Sequence, residues 1–210
     1  MMSKIVIGFA GHINSGKDEA AKYLKHEFGF DHYKVAYPLQ DVVAIVSGIY
    51  NQDLSHRLYF EDREWKESYP LMKDNEGNVL TPRDLMKYIG GKLVREQLNK
   101  SVWANLLRNK LNISDESLVI SDVRYPEELD VILNTIGWDG YLVYIVNPLA
   151  KELADTSHSS ERFQDYLKTK ADYKIFNDPR KNSLSRFQSS LHDLTQDILN
   201  IDDDTISVLE

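Results

Sequence analysis

The chain has 210 residues, 42% hydrophobic and 28% charged, with a net charge of −8 and a pI near 5.3. That length buries a proper core in one domain, and the acidic balance argues against the clustered basic surface that a nucleic-acid polymer requires. With no cysteine, disulfides, thiolate metal sites and cysteine nucleophiles are excluded. No apolar stretch approaches the ~20 residues of a membrane span, and the N-terminus shows no signal-peptide pattern, so a cytoplasmic chain with no membrane partner is the expectation.

In chain order, the apolar run Ile5-Val6-Ile7-Gly8-Phe9-Ala10 predicts a strand, and Gly11-His12-Ile13-Asn14-Ser15-Gly16-Lys17-Asp18 follows it with the spacing G-x-x-x-x-G-K. Glycines at these positions let the backbone wrap a phosphate. Successive N–H groups point inward, and the next helix presents its positive dipole end. That helix is predicted over 17–28, where Ala20, Ala21, Leu24 and Phe28 share a face. Lys17 would reach the β- and γ-phosphates as a mobile point charge. Asp18 stands where most such loops carry a Ser or Thr hydroxyl for Mg²⁺, and a carboxylate there holds the metal directly or through a water.

Further strands are predicted over 33–36, 118–121, 141–146 and 173–176, and helices over 39–49, 83–98, 102–111, 127–136 and 185–199. Strands alternating with helices imply a parallel sheet covered on both faces, with ligand at the carboxyl ends of its strands. Residues 51–81 break the rhythm with many charges and with aromatics around Tyr59, Phe60 and Trp65, and read as an insertion over the active site. The run Asp202-Asp203-Asp204 reads as a solvated acidic end.

A phosphate loop needs a second carboxylate at the end of a neighbouring strand to help hold Mg²⁺, and Asp122 supplies one after Leu118-Val119-Ile120-Ser121. Glu127 and Glu128 suit the first turn of the following helix through its dipole, and Glu128 is also placed to orient Arg124. A kinase that acts on a phosphorylated acceptor needs arginines beyond the loop lysine. Arg83, Arg95, Arg124 and Arg162 are the candidates; Arg83 falls behind Thr81 as N-cap and Pro82 as first helical residue, near a natural anion site.

These segments resemble the viral and bacterial deoxynucleoside monophosphate kinase family, a branch of the phosphate-loop kinases. The resemblance runs through Ser15-Gly16-Lys17-Asp18, Ala36-Tyr37-Pro38-Leu39-Gln40-Asp41, Thr81-Pro82-Arg83-Asp84-Leu85-Met86 with Gly90, and Val102-Trp103. It continues in Ile120-Ser121-Asp122-Val123-Arg124-Tyr125-Pro126-Glu127-Glu128, Val146-Asn147-Pro148, His158-Ser159-Ser160-Glu161 and Ile175-Phe176-Asn177-Asp178. It implies a three-layer α/β fold of the P-loop NTPase type, with a small acceptor-binding or lid region inserted at about 50–82. It also implies transfer of the ATP γ-phosphoryl group to a deoxynucleoside monophosphate.

By the same resemblance, Gly11, Asn14, Ser15, Gly16, Lys17, Asp18 and Glu19 hold ATP, with Asn177 and Asp178 near the adenine and the stretch from His158 near a flap. Asp18 and Asp122 serve Mg²⁺, and Lys17, Asp122, Arg124 and Arg83 are the catalytic set. Ile13, Leu39, Gln40, Arg83, Trp103 and Arg124 line the acceptor side. The partners are then small nucleotides, a homodimer is left open, and a phage source with activity in host cytoplasm is implied. Ile13 and Asn14 are uncharged where some relatives carry basic residues, and Gln40 stands where a Lys can occur, so the acceptor can differ. Trp103 at helical spacing with Leu106 and Leu107 also reads as core. One alternative is a small-metabolite kinase resembling the animal-type phosphomevalonate kinases, and another is a module that binds ATP without transferring it; an aromatic pocket using Trp103, Tyr37 or Tyr88 would favour the nucleotide kinase.

Overall fold

The structure is a computed structural model and describes residues 4–152, 161–180 and 184–200. The elements run β1 (Lys4–Ala10), α1 (Lys17–Phe28), β2 (Asp31–Tyr33), α2 (Tyr37–Ser47), α3 (Arg57–Glu61), α4 (Arg63–Ser68), β3 (Met72–Lys73), β4 (Val79–Leu80) and α5 (Pro82–Met86). A π-wound helix, Lys87–Leu98, follows, then α6 (Val102–Ile113), β5 (Leu118–Ile120), α7 (Pro126–Asn134), β6 (Trp138–Val146), α8 (Pro148–Glu152), a 3₁₀ turn (Glu161–Phe163), α9 (Gln164–Lys170), β7 (Tyr173–Phe176) and α10 (Leu184–Leu199).

The chain forms two compact units: the described residues up to Lys34 with those from Lys110 onward, and residues 35–109. In the first unit, five strands in the order β2-β5-β1-β6-β7 make a sheet, and every adjacent pair is parallel. The central strand β1 is buried from Val6 to Ala10, the near-continuous apolar run expected of a strand covered on both faces. Side chains alternate, so Ile7, Phe9, Val119, Val143, Ile145 and Ile175 share one core with Ala20, Ala21 and Leu24 of α1 and Phe187, Leu191 and Ile198 of α10. On the other face α7 lies against β1 and β6. Gly140 lets it approach so closely that an added Cβ would fall 1.9 Å from the Ile132 carbonyl oxygen. This is a three-layer α/β fold with a parallel sheet between helices, as the sequence implies.

The second unit has its own apolar core of Val43, Ala44, Phe60, Leu85 and Ile89, with Leu39, Trp65 and Met86 packed against it. The segment at about 50–82 that reads as an insertion lies within this unit. Its β3–β4 hairpin turns through Asp74, whose carboxylate accepts the Glu76 and Asn78 N–H groups at 2.9 and 2.8 Å. Thr81 caps α5 by accepting the Asp84 N–H at 3.2 Å, while the Asp84 carboxylate accepts the Thr81 N–H at 2.9 Å, with Pro82 following.

The structure corrects several expected boundaries; the strand expected over 141–146 begins at Trp138, and the helix expected over 39–49 is Tyr37–Ser47. The strand expected over 33–36 is Asp31–Tyr33, since these are the residues in parallel register with Leu118–Ile120, and Pro38 starts α2 at Tyr37. The helix expected over 83–98 is α-helical only through Met86. Beyond that it takes the wider π winding, with the Asn99 N–H on the Val94 carbonyl at 2.9 Å, and apolar spacing does not distinguish the two. The helix expected over 127–136 ends at Asn134, and Ile136 is almost fully exposed in the connection to β6. No helix among the described residues is long and apolar enough to cross a membrane.

Candidate active site at the phosphate loop

The loop leaves β1 at Ala10 and enters α1 at Lys17, at the carboxyl ends of the parallel strands. Asn14 and Gly16 both take left-handed φ, 62° and 107°. A Cβ at Gly16 would also lie 2.5 Å from Asn177 Nδ2, so this position requires glycine twice over. The Gly11 N–H donates to Gln164 Oε1 at 3.1 Å in a buried contact, and the Ser15 N–H closes a turn on the His12 carbonyl at 3.1 Å. From the ends of β7 and β6, Asn177 Nδ2 donates to the Ser15 carbonyl at 3.0 Å and Asn147 Nδ2 to the Asn14 carbonyl at 3.4 Å.

Lys17 Nζ donates to the Gly11 and His12 carbonyls, both at 2.7 Å, and reaches Ser15 Oγ at 3.4 Å. The ammonium is thereby folded back onto the carbonyls of the loop. Glu19 is exposed in the first turn of α1 and Ile13 is half-buried in the loop.

Asp18 Oδ1 accepts the Ser121 hydroxyl at 2.8 Å and lies 3.1 Å from Lys34 Nζ. Because Ser121 donates its proton to Asp18, the 2.8 Å contact between His32 Nε2 and Ser121 Oγ has the imidazole as donor. Burial pushes the Asp18 carboxyl upward, but the Lys34 ammonium, the Ser121 hydroxyl and Lys17 outweigh it and hold the group below its ordinary value.

Asp122 is buried just past the end of β5, the strand paired with β1. The Val123 N–H donates to the Phe9 carbonyl at 3.2 Å, which fastens this segment beside the loop strand. Glu128, also buried, accepts the Arg124 N–H at 2.7 Å and the Tyr125 N–H at 3.1 Å on Oε2. It orients Arg124 through the backbone. Burial pushes the Glu128 carboxyl up to about 8 against these two N–H groups, with the nearby Asp122 charge adding to the rise.

Among the described residues no group of three or more His, Cys, Asp or Glu could hold a metal. The carboxylates expected to serve a metal, Asp18 at the start of α1 and Asp122 just past β5, would be a sparse oxygen set, of the kind that suits Mg²⁺ carried on phosphates rather than in an all-protein cage.

The structure thus gathers Gly11, Asn14, Ser15, Gly16, Lys17 and Asp18 with Asn177 in one unit, and Asp122 and Arg124 follow the adjacent strand. Asp178 is buried, with its carboxylate on the Arg180 N–H and Nε, each at 3.1 Å. In the other unit, Arg83 Nη2 donates to Glu67 Oε1 at 3.1 Å. Trp103 is buried with Nε1 on the Gly90 carbonyl at 3.1 Å, and Leu39 packs against Gly90. Gln40 is buried, and its Oε1 has no hydrogen-bond partner among the described residues. Arg95 donates to the Lys100 carbonyl at 2.7 Å. His158, Ser159 and Ser160 lie outside the described residues, as do Asp202, Asp203 and Asp204.

Sequence reasoning missed Gln164, Lys34 and His32, and gave Ser121 no role of its own. No local pattern marks them: Gln164 meets Gly11, Lys34 and Ser121 meet Asp18, and His32 meets Ser121, each across residues distant in sequence.

Fold and site together define a phosphate-loop α/β protein: a parallel sheet, a glycine loop at the end of its central strand, and a carboxylate at the end of the neighbouring one. No protein-family model matches the chain. It is similar to a protein of Acanthamoeba polyphaga mimivirus named "Putative deoxynucleotide monophosphate kinase", 28% identical over 169 residues that cover 75% of this chain and 80% of that protein. Among solved structures it is similar to shikimate kinase from Aquifex aeolicus, with a TM-score of 0.49, 15% identity, and 93% of this chain and 99% of that chain covered. Dephospho-CoA kinase from Campylobacter jejuni gives a TM-score of 0.44 at 15% identity, covering 92% of this chain and 96% of that chain.

Proposed function

We propose that the chain is a deoxynucleoside monophosphate kinase, transferring the γ-phosphoryl group of ATP to the 5′-phosphate of a deoxynucleoside monophosphate. It is an ATP-dependent phosphotransferase. The observation that carries this reading is Lys17 held 2.7 Å from the Gly11 and His12 carbonyls of a glycine loop, with Asp122 at the end of the adjacent parallel strand. The choice of acceptor is supported by the similarity to the mimiviral protein and by the motifs around Arg83 and Arg124.

In this reading the loop N–H groups from Asn14 to Lys17 cradle the ATP phosphates, and Lys17 exchanges its loop carbonyls for β- and γ-phosphate oxygens. Asp18 and Asp122 would hold Mg²⁺ or its water shell; when bound, the ion draws charge from the phosphates being separated. Arg124, fixed through Glu128, is assigned to the acceptor phosphate, and Arg83 is assigned to it on its own motif. An acceptor phosphate oxygen attacks the γ-phosphorus in line, so no general base and no covalent intermediate is required.

Coupled ADP release from ATP and Mg²⁺ against a panel of dNMPs, NMPs and phosphomevalonate tests the reading. Stimulation by one or more dNMPs with formation of the matching dNDP is expected. Stimulation by phosphomevalonate alone would replace the acceptor and keep the transfer. ATP binding without turnover on any acceptor would reduce the chain to a binding module.

A further inference from the structure

A second cation belongs to this site. Lys34 follows β2 and is only 7% exposed, although a lysine ammonium is rarely buried unless paired. Its Nζ lies 3.1 Å from Asp18 Oδ1, the same oxygen that accepts the Ser121 hydroxyl at 2.8 Å. The same serine oxygen also meets His32 Nε2 at 2.8 Å. Oδ1 of Asp18 is therefore engaged by one ammonium and one hydroxyl. A divalent ion arriving there has to displace Lys34 or share the oxygen with it, and two cations a few ångströms apart repel, although the Asp18 side chain is 57% exposed.

We propose that Lys34 is the resident cation of Asp18 and excludes a divalent metal from it until nucleotide phosphates bring the negative charge that both cations can share. The inference rests on the reading that this loop binds a metal–nucleotide complex. It makes Lys34 a positioning residue that orders ligand entry, so that metal enters with nucleotide instead of ahead of it. It also gives a physical role to a carboxylate where other such loops use a hydroxyl: the acid needs a counter-cation when the loop is empty, and Lys34 supplies one.

The test is Mn²⁺ binding without nucleotide, read as loss of the free-ion electron paramagnetic resonance signal, so no turnover is involved. Lys34→Met is expected to bind Mn²⁺ at least about tenfold more tightly than the unaltered protein, the scale of one like charge removed a few ångströms from the ion. Adding Asp18→Asn to that variant is expected to abolish the gain. In the protein with Lys34 intact, Asp18→Asn is expected to leave Mn²⁺ affinity unchanged, a measurement that does not depend on the Lys34 variant folding. Equal affinity in the unaltered protein and Lys34→Met overturns the proposal. So does a gain that survives Asp18→Asn, or a clear loss in the Asp18→Asn single variant. Titration of the unaltered protein with Mn²⁺ and ATP together addresses the parent reading separately: absence of a ternary complex would overturn the assigned function, while the nucleotide-free comparison still decides the role of Lys34.

Discussion

Gln164 Oε1 accepts the backbone N–H of Gly11 at 3.1 Å, both groups buried, and so ties the first residue of α9 to the first residue of the phosphate loop. A buried N–H without a partner costs roughly 1–3 kcal/mol, more than a typical hydrogen bond contributes net. Gln164→Ala is therefore expected to lower stability by about that amount. It should also weaken ATP binding, because the loop loses an anchor at its entrance. Urea unfolding and nucleotide titration of the variant check both; unaltered ATP affinity would show that the other anchors suffice.

Under the proposed function, Lys17 serves phosphate binding rather than the core. Lys17→Ala is expected to reduce kcat by about 10²–10³, the scale of a preorganised charge removed from a developing transition state. The change in unfolding free energy should stay within about 1 kcal/mol, as the ammonium meets the Gly11 and His12 carbonyls and Ser15 on the loop rather than the apolar core. Lys17→Arg should not restore turnover, since a planar fork does not replace a point charge against loop and phosphates. Single-turnover kinetics beside denaturant titration separate the two effects.

Glu128 gives a pH signature. Its carboxyl is raised from 4.5 to about 8 in the folded chain, so between these values the native state keeps a proton that the unfolded state has lost. Stability then falls as pH rises through this window, by up to about 1.4 kcal/mol per unit from this group. Glu128→Gln keeps an oxygen for the Arg124 and Tyr125 N–H groups and removes the titration. It is expected to flatten this part of the pH dependence and to be at least as stable as the unaltered protein at pH 7. Unfolding curves from pH 5 to 8 for both proteins provide the comparison.

Arg83 pairs with Glu67 at 3.1 Å, and Glu67 also meets Arg63 at 3.2 Å. Arg83→Ala should raise the KM for the deoxynucleoside monophosphate by roughly tenfold or more, leaving the KM for ATP unchanged, as expected for a charge-assisted contact to the acceptor phosphate. A rise confined to ATP would move Arg83 to the donor side. No change in either parameter would reduce it to the structural partner of Glu67.

Gly140→Ala would set a Cβ 1.9 Å from the Ile132 carbonyl oxygen, backbone against backbone, so no rotamer change relieves it. A loss of about 3 kcal/mol or more is expected, at the upper end of overpacking effects. A thermal melt of the purified variant tests this, and a midpoint within a degree or two of the original would contradict the close packing of α7 on β6.

The sequence by itself determined what is local. The loop from β1 into α1 over Gly11 to Asp18 was legible because its glycines and the helix start that follows them are consecutive residues. The apolar runs at 118–121, 141–146 and 173–176 were legible as strands because a sheet covered on both faces needs near-continuous hydrophobicity. Thr81 and Pro82 announced the start of α5 for the same reason, since a cap and its helix are neighbours in sequence. Tertiary structure alone decided which distant side chains complete the site. Ser121 reaches Asp18 across 103 positions, Gln164 reaches Gly11 across 153, and Asn177 reaches Ser15 across 162. Periodicity tells which face of an element is buried, but not which residue of one strand ends beside which residue of another. Parallel register and helix packing bring those ends together, and with them the pairing of Lys34 with Asp18 that no spacing in the sequence records.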